Sequence, residues 1–218
     1  MQRSKTLIEA AKRFCHLRGF QRLYNDVLHN VSARLPAMRV LRNNPNRGKG
    51  FSVRRGVLEA RGEFALFTDA DLSAPIEETD KLLAALQDSD ADAAIGSRAV
   101  QRELIGIRQP WFREWGGRFF NRVVRLVTGL NLQDTQCGLK LFRRATTRRA
   151  FELQRVEGFG FDPELLFLIE RGGGKVVEVP VRWNDNPATK VRLSRDAPRM
   201  ILDLLALRWR AWSGKYSK

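Results

Sequence analysis

Apolar positions recur along this chain with two periods, and the alternation between them predicts the elements. Leu7, Ile8, Ala11 and Phe14 at helical spacing, behind a Ser4 cap, predict a helix over residues 4–17. Residues 18–36 are ambiguous, with a helical reading open, and 38–41 read as a short strand. The stretch NNPNRGKG, residues 43–50, is a loop by its Asn, Pro and Gly content. A helix over 51–60 follows, closed by Gly62, and then a buried strand over 64–68. An amphipathic helix is expected over 76–86 behind Pro75, a short strand within 92–98, and a long helix over 111–127. The remaining elements are a strand over 139–142, a helix over 163–171 opened by Pro163, a strand over 175–181 after three glycines, and a closing helix over about 194–212.

Strands alternating with helices predict an α/β layer fold whose active groups lie at the carboxyl ends of strands. At 218 residues the chain suits one domain, and neither an internal repeat nor a linker interrupts it. Charge changes the picture most: 39 Lys and Arg against 24 Asp and Glu leave +15. Such a surplus asks for an anionic partner: nucleic acid, a phosphorylated substrate or an anionic membrane. Two cysteines, Cys15 and Cys137, make no disulfide framework, and a reducing cytosol is the simplest setting. No apolar run approaches the roughly 18 residues that span a bilayer, and the amino terminus lacks the apolar stretch of a signal peptide. Any membrane contact is therefore expected to be peripheral.

The chemistry begins at EFALFTDADLSAP, where an apolar run stops at Asp69 and Asp71. Two carboxylates one residue apart at a strand end can aim at one point. Hard oxygen ligands suit Mg2+ or Mn2+, which take one or two carboxylates and fill the rest with water and phosphate oxygens. A turn capping the next helix explains the same pair without a metal. Arg47 and Lys49 lie between glycines just before a helix, a setting in which amides and the helix dipole attract phosphate, although the spacing is not that of a P-loop. Ser97 and Arg98 end another strand, and Arg113 opens the following helix. DTQCGLKLF brings Asp134, Gln136 and Lys140 around Gly138, and GFGFDPELLF places Asp162 and Glu164 where a helix begins. Taken singly, each has a plain reading: Asp162 as a helix cap, Cys137 as a small buried hydrophobe, Arg98 as a solvated loop residue. His16 and His29 lie outside these clusters.

The order of the pieces is more specific than any one of them. R-G-K-G, D-A-D-L-S, G-S-R, D-T-Q-C-G-x-K-x-F, F-D-x-E-L-L and V-P-V-x-W, across about residues 42–210, resemble glycosyltransferase family 2, in its dolichyl-phosphate β-glucosyltransferase and polyprenyl-phosphate sugar transferase branch. The resemblance implies a Rossmann-like, three-layer GT-A fold and an inverting hexose transfer. The donor would be a nucleotide sugar of the UDP-glucose or GDP-mannose type, and the acceptor a polyprenyl or dolichyl phosphate. It implies Asp69 and Asp71 as holders of the metal on the donor diphosphate, and Arg98 and Arg113 as binders of the acceptor phosphate. Asp134 and Asp162 would join them as catalytic residues, with Arg47, Lys49, Ser97, Gln136, Lys140 and Glu164 as substrate contacts.

Members of that family normally open with a strand, a P-x-Y-N-E turn and a D-D-G-S motif, which are not found here, so residues 1–41 read as a divergent or truncated donor-side part. On that reading a strand edge is left open, making a homo-oligomer plausible. Residues 190–218 carry eight basic and two acidic residues, a local +6, interleaved with Met200, Ile201, Leu204, Leu205, Leu207, Trp209 and Trp212. This basic amphipathic helix suits an anionic bilayer surface, at about 1 kcal/mol per basic residue near it. The expected location is cytoplasmic, peripheral on the cytoplasmic face of a membrane. Two competing readings are an inactive remnant and a basic nucleic-acid-binding module. Dispersed basic residues, and aromatics that read as core, make nucleic acid the unexpected partner.

Overall fold

In the computed structural model, the residues described are 7–9, 38–185 and 193–216. Five strands form one sheet in the order β1-β2-β4-β3-β5: β1 Leu7–Glu9, β2 Phe64–Thr68, β3 Ala93–Ser97, β4 Leu139–Arg143 and β5 Val176–Pro180. The described helices are α1 Lys49–Glu59, α2 Thr79–Asp88, α3 Trp111–Thr128, α4 Arg144–Leu153, α5 Phe161–Arg171 and α6 Leu193–Trp212. Short 3-10 turns, Ile76–Glu78 and Arg102–Leu104, precede α2 and α3.

Strand pairing decides where function can sit. β1 runs parallel to β2, and β5 parallel to β3, but β4 lies antiparallel between β2 and β3. The amino end of β4 therefore meets the carboxyl ends of its two neighbours at one margin of the sheet. Register places Lys140 beside Phe67 on one side and beside Ile95 on the other.

Successive side chains point to opposite faces, and both faces are covered. Ala65, Phe67, Ala93, Ile95 and Phe142 share one core with Val53 and Val57 of α1, Phe151 of α4, Phe161 and Leu165 of α5, and Leu204 and Leu207 of α6. Leu66, Ala94, Leu139, Leu141 and Val179 share the other with Leu82 and Leu86 of α2. The layer fold expected from the alternation is the fold observed.

Three expectations change. Residues 7–9, read as part of a helix, form strand β1 along β2, because Leu7 and Ile8 find a sheet edge whose hydrogen bonds outweigh helical periodicity. The same pairing covers the β2 edge at Leu66, Phe67 and Thr68. The rest of the 4–17 helix and the ambiguous 18–36 segment lie outside the described residues. Residues 38–41 form no strand, and α4, absent from the expectations, follows β4 without a break.

Phe142 is fully buried and meets the Phe151 ring edge-on at 5.1 Å. Phe142→Ala is expected to lower unfolding stability by about 3–5 kcal/mol. The check is a urea titration in which the midpoint falls and the slope is kept.

Candidate active site

The candidate groups converge where β4 begins. Asp69 follows β2 directly, Arg98 follows β3, residues 134–138 lead into β4, and Lys49 and Asp162 open α1 and α5. Asp69 is held by its own N–H, which donates to Gly138 O at 2.8 Å, and by Gly138 itself. A Cβ on Gly138 would come within 2.2 Å of Asp69 Oδ2, so only glycine lets the carboxylate lie there. The turn then closes tightly. Leu72 N–H donates to Asp69 O at 3.0 Å, Ser73 N–H to Asp71 Oδ1 at 3.3 Å, and Leu72 adopts a left-handed φ of 48°. A left-handed leucine is an outlier held by its surroundings, at a cost of order 1–3 kcal/mol.

Cations surround the acids. Lys49 Nζ lies 3.0 Å from Asp69 Oδ1 and 3.3 Å from Oδ2, near the Phe67 and Phe161 rings. Burial alone lowers the Lys49 pKa, but Asp69, Asp162 and Asp71 together raise it above its ordinary value. Lys140, fully buried in the central strand, places Nζ 2.6 Å from Asp162 Oδ1 and 2.5 Å from Cys137 O. Burial lifts the Asp162 pKa by more than Lys140 and Lys49 lower it. Cys137 is free and buried, and burial and Asp134 push its thiol up to about 11, which makes it inert.

Arg98 forms the third pair. Its Nε and Nη2 donate to the two Asp134 oxygens at 2.6 and 2.8 Å, and its backbone N–H donates to Oδ2 at 3.1 Å. Asp134 Oδ1 also accepts the Gln136 N–H, while Glu178 accepts the N–H groups of Gln133 and Asp134. Ser97 is buried, and its Oγ accepts the Ala99 N–H.

Several of the expected site residues have protein partners of their own. The Arg98 fork, expected to clamp an acceptor phosphate, is engaged by Asp134, so Arg98 is no free two-pronged clamp. Glu164 is buried and engaged: it accepts the Arg155 and Val156 N–H groups at 2.9 and 2.6 Å and the Tyr216 hydroxyl. Arg47 pairs with Glu157 and stacks on Phe51. The amides expected to cradle phosphate are taken, since Gly50 and Phe51 donate to Gly158 O and Glu157 O, both at 3.2 Å. Asp162 lies within the first turn of α5 rather than capping it, because Lys140 captures its carboxylate. Arg113, in the first turn of α3, has no ion-pair partner among the described residues. Gln136 Nε2 is buried without a hydrogen-bond partner among the described residues.

Sequence reading assigned nothing to Gly138, Glu178, Asn121 or Trp183 as supports. Asn121 ties α3 to the 132–135 segment, donating to Leu132 O and Gln133 O, and Trp183 lies 5.3 Å under the Arg98 guanidinium. Gly138 and Trp183 did stand inside quoted motifs. Glu178 looked like one polar position of an alternating strand.

The donor set fits Mg2+ or Mn2+. Asp69 and Asp71 are hard oxygen ligands on one turn, and an ammonium already lies against the Asp69 oxygens, where a cation is favoured. Among the described residues no group of three or more His, Cys, Asp or Glu gathers, so water and phosphate would complete the shell.

A mixed-sheet α/β protein with an acid pair set among buried cations at a strand margin is thus defined. Residues 25–151 match the family model Glycosyl transferase family 2, and the chain belongs to that family. It is 33% identical over 190 residues to a dolichyl-phosphate beta-glucosyltransferase of Saccharomyces cerevisiae, covering 82% of this chain and 57% of the relative. Against the Drosophila melanogaster protein of that name it is 41% identical over 160 residues, covering 71% of this chain and 49% of the relative. The chain spans about half the length of the curated relatives it matches. Among solved structures, glucosyl-3-phosphoglycerate synthase of Mycobacterium tuberculosis with Mn2+ and UDP-glucose aligns at TM-score 0.49 and 18% identity, over 81% of this chain and 56% of that one.

The Arg98–Asp134 pair carries a pH signature. Burial would raise the Asp134 pKa, but Arg98 outweighs it and holds the carboxyl below its ordinary 3.8. A depressed carboxyl contributes stability that is complete above its unfolded pKa and is lost as pH falls through the lowered folded value. Asp134→Asn is therefore expected to be less stable than wild type at neutral pH, with the gap closing as pH falls below the ordinary carboxyl value of 3.8. Urea midpoints across that range test this; a constant gap contradicts it.

Proposed function

We propose that this chain is an inverting hexosyltransferase that moves a sugar, glucose by the name of its relatives, from a nucleotide diphosphate donor to a polyprenyl or dolichyl phosphate. One observation carries the reading: the acid pair lies with Lys49, Lys140 and Arg98 at a single sheet margin, in a chain of family 2. Diphosphate chemistry needs that mixture, with carboxylates for a hard cation and fixed positive charge for the phosphates. Asp69 and Asp71 would hold Mg2+ or Mn2+, which when bound supplies neutralisation of the charge on the departing diphosphate.

The remaining steps belong to the chain. The attacking phosphate oxygen is ionised at neutral pH, so no strong general base is needed. Accordingly Asp134 and Asp162 are committed to cations: Asp134 fixes Arg98, and Asp162 fixes Lys140. Arg113, without an ion-pair partner among the described residues, is the arginine left to meet the acceptor phosphate. Gln136 offers its unpartnered amide donor to a substrate oxygen.

The acceptor class explains the surface. α3 exposes Trp111 (80%), Trp115 (68%) and Phe119 at spacings of four, and α6, which packs against it, exposes Leu205, Trp209 and Trp212 (86%). Arg118, Arg122 and Arg125 border a groove on α3, and Arg208 stands beside Trp209. Indole and guanidinium side by side suit an anionic lipid interface. No described helix is long and apolar enough to cross a membrane.

Two measurements test the reading. Transfer of radiolabelled glucose from UDP-glucose to dolichyl phosphate with Mn2+ is expected, and Asp71→Ala is expected to reduce it about 100-fold or more. Equal transfer by wild type and variant overturns the assignment of the acid pair. Separately, the protein is expected to co-sediment with phosphatidylserine vesicles and not with neutral ones. Serine at Trp111, Trp115 and Trp212 together is expected to cut the bound fraction about tenfold. Equal partitioning to both vesicle types removes the electrostatic component.

A further inference from the structure

We infer that Lys49 is an internal counterion of the acid pair, one that keeps Asp69 from a divalent cation until an anionic donor draws the ammonium away. The inference rests on the metal role proposed for Asp69 and Asp71, and it concerns what stands against that role in the protein alone. Lys49 Nζ spans both oxygens of Asp69, at 3.0 and 3.3 Å, so it lies on the face through which a divalent ion would be bound. Asp71 and Asp162 add their fields at the same ammonium. Lys140, by contrast, is committed to Asp162 and Cys137 O and has no solvent exposure, so it cannot take Lys49's place.

Mobility separates the two lysines. The Lys49 side chain keeps 18% exposure and Asp69 25%, and a four-carbon stem can swing its head without moving α1. Its ammonium lies 5.1 and 5.8 Å from the centroids of the Phe67 and Phe161 rings. Three carboxylates, Asp69, Asp71 and Asp162, face two ammonium groups. Withdrawing Lys49 takes a positive charge off the Asp69 carboxylate and leaves a stronger site for a doubly charged ion. A diphosphate offers the ammonium a new partner and frees the carboxylate in the same event, so donor and metal assist each other's binding.

The test uses the full chain and Mn2+ alone, with free Mn2+ read from its electron paramagnetic resonance signal at fixed ionic strength. Lys49→Gln is expected to bind Mn2+ at least about fivefold more tightly than wild type, because a like charge has left the site. Lys49→Arg is expected to remain near wild type. Adding Asp69→Asn to Lys49→Gln is expected to abolish the gain. Lys49→Met, a second neutral side chain of similar length, is expected to reproduce the gain should the glutamine disturb packing. Wild type binding as tightly as both neutral variants overturns the inference, as does an arginine variant as tight as the glutamine one. Absence of Mn2+ binding by every protein at millimolar concentration overturns both the inference and the metal role beneath it.

Discussion

A lysine with no solvent exposure in the central strand of a sheet imposes the main constraint on this molecule. An unpaired ammonium there is strongly unfavourable, and removing one member of a buried pair costs about 3–5 kcal/mol. Lys140 is met by Asp162, so α5 must lie with its first turn over the middle of the sheet. Phe161 then falls beside Phe67, edge-on at 6.0 Å, and both rings lie near the Lys49 ammonium. One ion pair thereby fixes a helix, two aromatic walls and the approach of a second lysine.

Three pairs are nested at this margin, and they differ in what they can give up. Lys140–Asp162 is sealed. Arg98–Asp134 is bidentate, with Asp134 braced by backbone donors and Arg98 resting on Trp183. Lys49–Asp69 is single, partly exposed and carried by a flexible stem. Rigidity thus falls from the sheet outward, and the pair that opens most readily contains the candidate metal ligand. That gradient follows from the antiparallel insertion of β4, which sets Lys140 deep and Gly138 at the rim against Asp69.

Much of this was legible in the sequence, and the exceptions are instructive. The strand ends at Thr68 and Ser97 were readable because buried apolar runs stop abruptly at charged or polar residues. α4 was not, since RATTRRAFEL offers only Ala145, Ala150, Phe151 and Leu153 as apolar markers and carries β-branched threonines early. Its helix is set by Phe151 seating on Phe142, a tertiary contact with no local signature. Likewise Lys140 was recognised as a site residue for its charge, while its burial depends on register with Phe67 and Ile95. Arg98 was assigned to a phosphate by resemblance, and its pairing with Asp134, 36 positions away, has no local signature.

Glu164 shows how the outlying parts join the centre. Read as a substrate contact, it instead receives the Arg155 and Val156 amides with one oxygen and the Tyr216 hydroxyl with the other. The segment it anchors continues to Glu157 and Gly158, whose carbonyls accept the first amides of α1, and α1 begins with Lys49. Gly48 and Gly50 are needed there because a Cβ on either would strike Glu157 O or Val156 O and Phe161. The end of the basic helix α6 and the lysine on the acid pair therefore belong to one hydrogen-bonded framework.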